Sequence, residues 1–404
     1  MPVTQPTPVV LSVVIPAYNE DKAIASIIER VLAVEKRLPE AGVSELELIV
    51  VDDGSHDRTA EQVARYPQVH IIQHPHNKGY GAALKTGFKA ARGQLLGFLD
   101  ADGTYPPEHF PELCKEILAG ADLVVGSRRS GGETEMPPVR RLGNFLWSNL
   151  VTLLGGQRVV DPASGMRVFR REILERIYPL PDGLNLTPVM STRAVHEGVK
   201  VVEVPIPYKE RVGRSKLSVV RDGSRFLNSI VWTVLTYNPV RILGFLGLGM
   251  VGFAILVGLG LLAARLMGVT ALGPWGVALI YAALVLGVTG VSAFSLGVTF
   301  NYLVSLFQKR AIRQGMFKKP LFKKPLEGYF GWFGLAGILA GSALGIASLI
   351  LGLSGWEIGR LWLYLMGSAM LLLTGVQFVI YWILIRVLAE ISQREVEIQK
   401  DLDY

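Results

Sequence analysis

The chain has 404 residues, half of them hydrophobic and only 19% charged, against about 25% charged in ordinary soluble domains. Its apolar residues concentrate in long uncharged runs after residue 240, which excludes disordered, collagen-like, disulfide-stapled and purely soluble classes. A net charge of +7 suits an anionic membrane face rather than nucleic acid, because the basic residues cluster beside those runs.

The first residues, MPVTQPTPVV, hold neither a basic n-region nor an apolar h-region of signal-peptide length, so the front of the chain is expected in the cytoplasm. Short apolar runs at 11–15, 46–51, 70–72, 95–100, 122–126 and 201–206 predict strands, and 20–38, 57–65, 79–92 and 107–119 predict helices between them. Such alternation predicts an α/β domain with a mostly parallel sheet, whose ligands bind at the carboxyl ends of the strands. Cys114, the single cysteine, falls in one of these helices and reads as a packed thiol.

Residues 217–237 place Val219, Phe226, Leu227, Ile230, Val231 and Val234 on one stripe, with Arg221, Asp222 and Arg225 mainly off it. That pattern predicts an amphipathic helix in the membrane interface. Four uncharged spans follow: Leu243–Ala264, Leu266–Gln308 with a turn at Gly273-Pro274, Tyr329–Trp356 and Leu361–Ile385. The segment between spans two and three carries Lys309, Arg310, Arg313, Lys318, Lys319, Lys323 and Lys324, with no acid before Glu327. By the positive-inside rule this loop, both termini and the front domain face the cytoplasm. Gly337, Gly341 and Gly345 form a small-residue ridge for helix packing within or between chains, so a homo-oligomer is among the expected assemblies.

Chemistry-bearing residues collect at the strand ends. Asp100-Ala101-Asp102 closes the run LLGFLD, which sets two hard oxygen ligands on the binding edge; a carboxylate with substrate phosphates is a usual Mg²⁺ site. Pro16, Tyr18 and Glu20 follow the first strand, and Val51, Asp52 and Asp53 end the second. Asp53 is expected to contact a base or ribose rather than only to satisfy loop amides, since Ser55 and Asp57 are available to cap the next helix. Lys78 opens a glycine turn before a helix N-terminus, which favours an anion. The match of Gly247, Gly249 and Gly252 to G-x-G-x-x-G lies inside an uncharged span and follows no strand, so it is discounted. His70, His74 and His76 straddle a strand end and are not expected to bind metal.

These residues carry a family resemblance. VVIPAYNE (13–20), VVDDGS (50–55), NKGYGAALKTG (77–87), FLDAD (98–102), VGSR (125–128), DPASGMRVFRR (161–171) and RVGRSKL (211–217) resemble glycosyltransferase family 2. Within it they are similar to the dolichyl- and polyprenyl-phosphate mannose and glucose synthases that carry two pairs of membrane helices. The resemblance implies a Rossmann-like GT-A catalytic domain, a nucleotide-sugar donor, a polyprenyl phosphate acceptor, Mg²⁺ or Mn²⁺, and inversion at the anomeric carbon. By matched position, Pro16, Tyr18, Glu20, Val51 and Asp53 would bind the nucleoside. Asp100, Ala101 and Asp102 would hold the diphosphate and metal, with Asp102 the direct ligand. Arg128, Arg140, Asn144, Arg211, Ser215 and Lys216 would meet the acceptor phosphate. Thr104 stands where close mannose synthases have Gln, Asn144 where the family often has Ser, and Asn185 where a basic residue is common. These departures widen the donor from GDP-mannose to UDP-glucose or UDP-N-acetylglucosamine.

The expected organisation is therefore a catalytic domain (1–216), an interfacial helix (217–238), a helix pair (239–308), a basic loop (309–328), a second pair (329–390) and a tail (391–404). Two alternatives stand beside it. A processive polysaccharide synthase would carry a Q-x-x-R-W motif, which the chain lacks. A nucleotide-binding transporter or scaffold would usually have an ionisable residue in mid-span, and none of the spans has one.

Overall fold

The computed structural model describes residues 8–129, 135–136, 138–155, 157–209, 219–269, 272–308 and 326–401. The chain divides into two compact units, Met1–Thr233 and Val234–Tyr404.

In the first unit the chain order is β1 (Val10–Ala17), α1 (Ile24–Val34), β2 (Glu45–Asp52), α2 (Thr59–Val63), β3 (His70–Gln73), α3 (Tyr80–Ala90), β4 (Leu95–Phe98), α4 (Phe110–Leu118) and β5 (Leu123–Ser127). Then come α5 (Pro138–Gly155), β6 (Arg167–Arg170), α6 (Ile173–Ile177), α7 (Leu186–His196), β7 (Val201–Pro205) and α8 (Val219–Tyr237), whose last four residues belong to the second unit. The seven strands form one sheet in the order β3-β2-β1-β4-β6-β5-β7. β6 runs antiparallel to both β4 and β5, whereas the remaining pairs are parallel. The carboxyl ends of β1, β2, β4 and β5 therefore share one rim. This is the α/β GT-A arrangement expected from the alternation of elements.

The central strands are apolar on both faces because both are covered. On β1, Leu11, Val13 and Ile15 enter the core under α1 and α4, while Val14 enters the opposite core under α3, α6 and α7. Cys114 is fully buried in the first of these cores, and burial pushes its thiol up to about 12, which makes it the packed, inert group expected.

α8 buries Phe226, Ile230 and Val234 as the stripe predicts, but leaves Leu227 exposed. Asp222, expected off the stripe, is 2% exposed and lies 3.6 Å from the Arg225 guanidinium. The reason is helical spacing: Asp222 is four residues before Phe226 and eight before Ile230, hence on their face.

The second unit holds α9 (Pro239–Leu266), α10 (Pro274–Gln308), α11 (Phe330–Leu353) and α12 (Ile358–Asp401). All four are long and apolar enough to cross a membrane. Proline begins both α9 and α10, where its missing N–H would be unpaired anyway. The glycine ridge of α11 faces α12 of the same chain. A Cβ on Gly337 would lie 3.1 Å from Gly375 Cα, one on Gly341 2.9 Å from Leu372 N, and Ser368 Oγ donates to Gly341 O at 2.8 Å. The ridge thus has an intrachain partner, which removes the sequence basis for a homo-oligomer. Gly247 makes a similar close crossing with Gly290, and nothing lies within 4 Å of a Cβ built on Gly249 or Gly252. Gln377 on α12 donates to Ser292 Oγ on α10 at 2.8 Å. The segment expected as a tail from residue 391 continues α12 to Asp401.

Candidate active site

The rim begins where β1 leaves the sheet. Asn19 sits in the left-handed region (φ 50°), which Asn tolerates better than most residues. Its N–H donates to Ser55 Oγ (2.9 Å), its Oδ1 accepts from His56 N–H (2.8 Å), and Glu20 N–H donates to Thr59 Oγ1 (2.9 Å). These bonds fasten the β1 loop to the β2 loop and set Tyr18 and Glu20, both half-buried, on the rim. Pro16 and Val51 are register partners, and Val51 is buried in the core, so it faces the rim only through its backbone.

Asp53 is 3% exposed and anchors the following loop. Its Oδ1 accepts from Lys78 N–H (2.8 Å), its Oδ2 accepts from Gly79 N–H (2.8 Å), and His74 Nδ1 lies 2.7 Å from Oδ1. These bonds give Asp53 the loop-amide role. Gly79 permits it: its φ is +106°, and a Cβ there would lie 2.5 Å from Asp182 O. His74 is accounted for by Asp53 and by Thr86 Oγ1 at 2.9 Å. No group of three metal-binding side chains occurs among the described residues.

The acidic pair follows β4. Tyr80, in the first turn of α3, donates its hydroxyl to Asp100 Oδ1 at 2.8 Å. Burial and the Asp100 charge raise that phenol well above its ordinary value, so it remains a donor. Gly165 packs directly beneath the Asp100 carboxylate, where any Cβ would collide with it. Asp102 Oδ1 accepts from Thr104 Oγ1 at 2.6 Å and from Thr104 N–H at 3.2 Å. Thr104 therefore orients the carboxylate that sequence matching assigns to the metal. Ala101 is buried in the core.

Arg128 follows β5 on the same rim. Its Nε and NH2 groups donate to the two oxygens of Asp161 at 2.8 and 2.6 Å, and its backbone N–H adds a third bond at 3.0 Å. The guanidinium carbon lies 5.8 Å from the centre of the Tyr105 ring and 5.4 Å from that of Tyr208. Burial pushes the Asp161 carboxyl up, but Arg128 and three hydrogen-bond donors outweigh it and hold the pKa below 3.8. The fork uses two of the five guanidinium N–H groups. Asn144, expected at the acceptor phosphate, donates its amide N–H to Asp161 Oδ1 at 2.8 Å, and its own Oδ1 has no partner. A carbonyl oxygen only accepts, so any bond from Asn144 to a phosphate oxygen would come from the second N–H of its amide nitrogen.

These two groups open into one cavity of about 430 Å³. Asp100, Asp102, Thr104, Arg128 and Asn144 are among its polar lining residues, and Met136, Leu142, Leu146, Trp147, Leu184 and Phe226 among its apolar ones. Tyr80, Tyr105 and Tyr208 line it as well. Pro16, Tyr18, Glu20, Val51, Asp53, Lys78 and Ala101 do not line this cavity. Arg140 lies on α5 with its side chain outside the described residues, as are Arg211, Ser215 and Lys216 entirely. The structure adds Tyr80, Asp161, Tyr105 and Tyr208 to the site. Tyr80 and Asp161 sit inside the NKGYG and DPASG motifs, whereas nothing in the spacing marks Tyr105 or Tyr208.

The family model "Glycosyl transferase family 2" matches residues 12–178, and a domain of unknown function, DUF8752, matches residues 239–399. A dolichyl-phosphate hexose transferase of Haloferax volcanii is 36% identical over 222 residues, which covers 55% of this chain and 92% of that protein. An undecaprenyl-phosphate 4-deoxy-4-formamido-L-arabinose transferase of Photorhabdus laumondii is 34% identical, covering 59% and 71%. A dolichyl-phosphate β-glucosyltransferase of Trichomonas vaginalis is 33% identical, covering 54% and 68%. Among solved structures, glucosyl-3-phosphoglycerate synthase of Mycobacterium tuberculosis, in complex with Mn²⁺, UDP and glucosyl-3-phosphoglycerate, aligns at TM-score 0.45 and 24% identity over 56% of this chain and 80% of that one. The chain is a glycosyltransferase and belongs to glycosyltransferase family 2.

Proposed function

We propose that this chain transfers a hexose from a nucleotide-sugar to a polyprenyl phosphate at the cytoplasmic face of a membrane, with inversion at the anomeric carbon. The observation that carries the reading is one cavity whose lining holds a carboxylate pair, a clamped arginine and a set of large apolar side chains. A sugar-phosphate lipid presents the same two characters in one molecule. The names of the relatives, which act on dolichyl and undecaprenyl phosphates, support the acceptor class. Leu142 and Leu146 of that lining, and Phe145 and Leu153 on the same helix, are exposed and apolar, as a lipid chain would need.

A phosphate monoester has a second pKa of about 6, so near neutral pH it attacks the sugar without a general base. The donor set at the rim, hard carboxylate oxygens with room for substrate phosphates, fits Mg²⁺ or Mn²⁺. Held by Asp102, with Asp100 beside it, such an ion would supply Lewis-acid stabilisation of the departing nucleoside diphosphate. Thr104 orients Asp102 for that role and Tyr80 orients Asp100. Arg128 keeps N–H groups beyond those given to Asp161 for the acceptor phosphate. Arg140, Arg211, Ser215 and Lys216 are assigned to the same phosphate on sequence match alone. Pro16, Tyr18, Glu20 and the Asp53-anchored loop with Lys78 form the nucleoside end. The donor is GDP-mannose, UDP-glucose or UDP-N-acetylglucosamine. In the four-span unit, the basic segment 309–325 sets both termini on the cytoplasmic side.

The test is incubation of membranes carrying the chain with each radiolabelled donor and added polyprenyl phosphate. Label should enter an organic-soluble, mild-acid-labile lipid. Label in soluble polymer, or no transfer from any donor, would overturn the reading.

A further inference from the structure

Arg167 opens β6 and is fully buried, yet no carboxylate lies within ion-pair distance of it among the described residues. Its Nε donates to Ser164 O (3.1 Å) and its NH2 to Pro162 O (2.7 Å), while NH1 has no partner. Burial lowers the guanidinium pKa to about 10. An unpaired buried charge is costly, and an apolar residue of similar volume would fill the space at less cost. The arginine is therefore explained by what its fork holds.

The fork holds the loop 161–165, and that loop touches both halves of the cavity. At its first residue, Asp161 takes the Arg128 fork and the Asn144 amide. At its last, Gly165 supports the Asp100 carboxylate and donates its N–H to Tyr105 Oη at 2.7 Å. Between them, Ser164 Oγ donates to Gly126 O at 2.5 Å. We propose that Arg167 is a positioning residue that fixes the donor-side Asp100 and the acceptor-side Arg128 relative to one another through this loop. The proposal rests on the function given above.

The experiment compares wild type, Arg167→Lys and Ser164→Ala as full-length chains in membranes. A lysine keeps the charge but lacks the planar fork, and the serine variant loosens the same loop without touching the arginine. The expected result is a rise in KM for both nucleotide-sugar and polyprenyl phosphate, each by about three- to tenfold, well inside the ~10²-fold that an ångström of misplacement can cost. A merely structural role would lower the folded fraction, and hence the maximal rate, with both KM values unchanged. That outcome, or a rise confined to one substrate, overturns the proposal. Should Arg167→Lys not fold, Ser164→Ala decides by the same criterion. Calorimetric binding of UDP or GDP with Mn²⁺ to the purified variants gives the donor-side shift without turnover. Absence of transfer by wild type would instead condemn the function reading, so the two failures are distinct.

Discussion

Tyr80 and Asp100 are joined by a 2.8 Å hydrogen bond from the first turn of α3 to the loop that follows β4. This bond connects the glycine turn after β3 with the acidic pair, two features that are separate in sequence. Tyr80→Phe removes the donor and leaves the ring. The expected loss is about 1 kcal/mol, or roughly fivefold in kcat/KM, read from steady-state transfer kinetics. Unchanged kinetics would show that Asp100 is held well enough without the phenol.

Asp102→Ala should abolish transfer, and chelation of wild type should do the same until Mn²⁺ or Mg²⁺ is restored. Thr104→Val, which removes the 2.6 Å bond to Asp102, should raise the Mn²⁺ concentration needed for half-maximal activity while leaving transfer measurable. Full activity of wild type in EDTA would sink the metal assignment.

Asp161→Asn leaves the buried Arg128 charge without its counter-ion. Removing one member of a buried pair costs about 3–5 kcal/mol, to be read as a lowered unfolding midpoint of the detergent-solubilised chain. The pH dependence has a definite sign. The folded Asp161 pKa is depressed below 3.8, so its stabilisation is complete above that value and is lost as pH falls through the lower folded value. Wild type should lose stability across that acid window more steeply than Asp161→Asn.

In the membrane unit, Gly341→Leu drives a side chain into Leu372, since even a Cβ there stands 2.9 Å from Leu372 N. The expected overpacking penalty is about 1–3 kcal/mol. Gly249→Leu has open space around its Cβ and should leave thermal stability unchanged. Equal stability of the two variants would contradict the α11–α12 crossing.

Orientation can be read by labelling. A single cysteine introduced within 309–325 should react with a membrane-impermeant reagent only after the cytoplasmic face is opened. Reaction in intact cells would invert the assigned topology.

Much of the sheet was legible because β1, β2 and β4 are apolar runs that end in recognisable motifs. β6 was missed: RVFR begins and ends in arginine, and a strand with charged ends does not read as central. Its arginines are accommodated by carbonyls, as where Arg170 NH2 donates to Ile117 O at 2.8 Å. α7 escaped because nearly every residue from Leu186 to His196 is buried, which erases the amphipathic period. At the site, the carboxylates of the rim were identified by position. Which amides would reach Asp53, and that Asn144 would turn its N–H toward Asp161, depend on loop geometry that spacing does not encode.

α12 contains 44 residues, and at about 1.5 Å per residue it is a rod of about 66 Å, roughly twice the ~30 Å of hydrocarbon in a bilayer. At the tilts of up to about 40° usual for membrane helices, a span entering the lipid near Leu361 crosses ~30 Å within about 26 residues, so the helical stretch from Arg394 to Asp401 would stand beyond it. Any swivel of the fourth span is thereby carried, like the motion of an oar, out into the surrounding water.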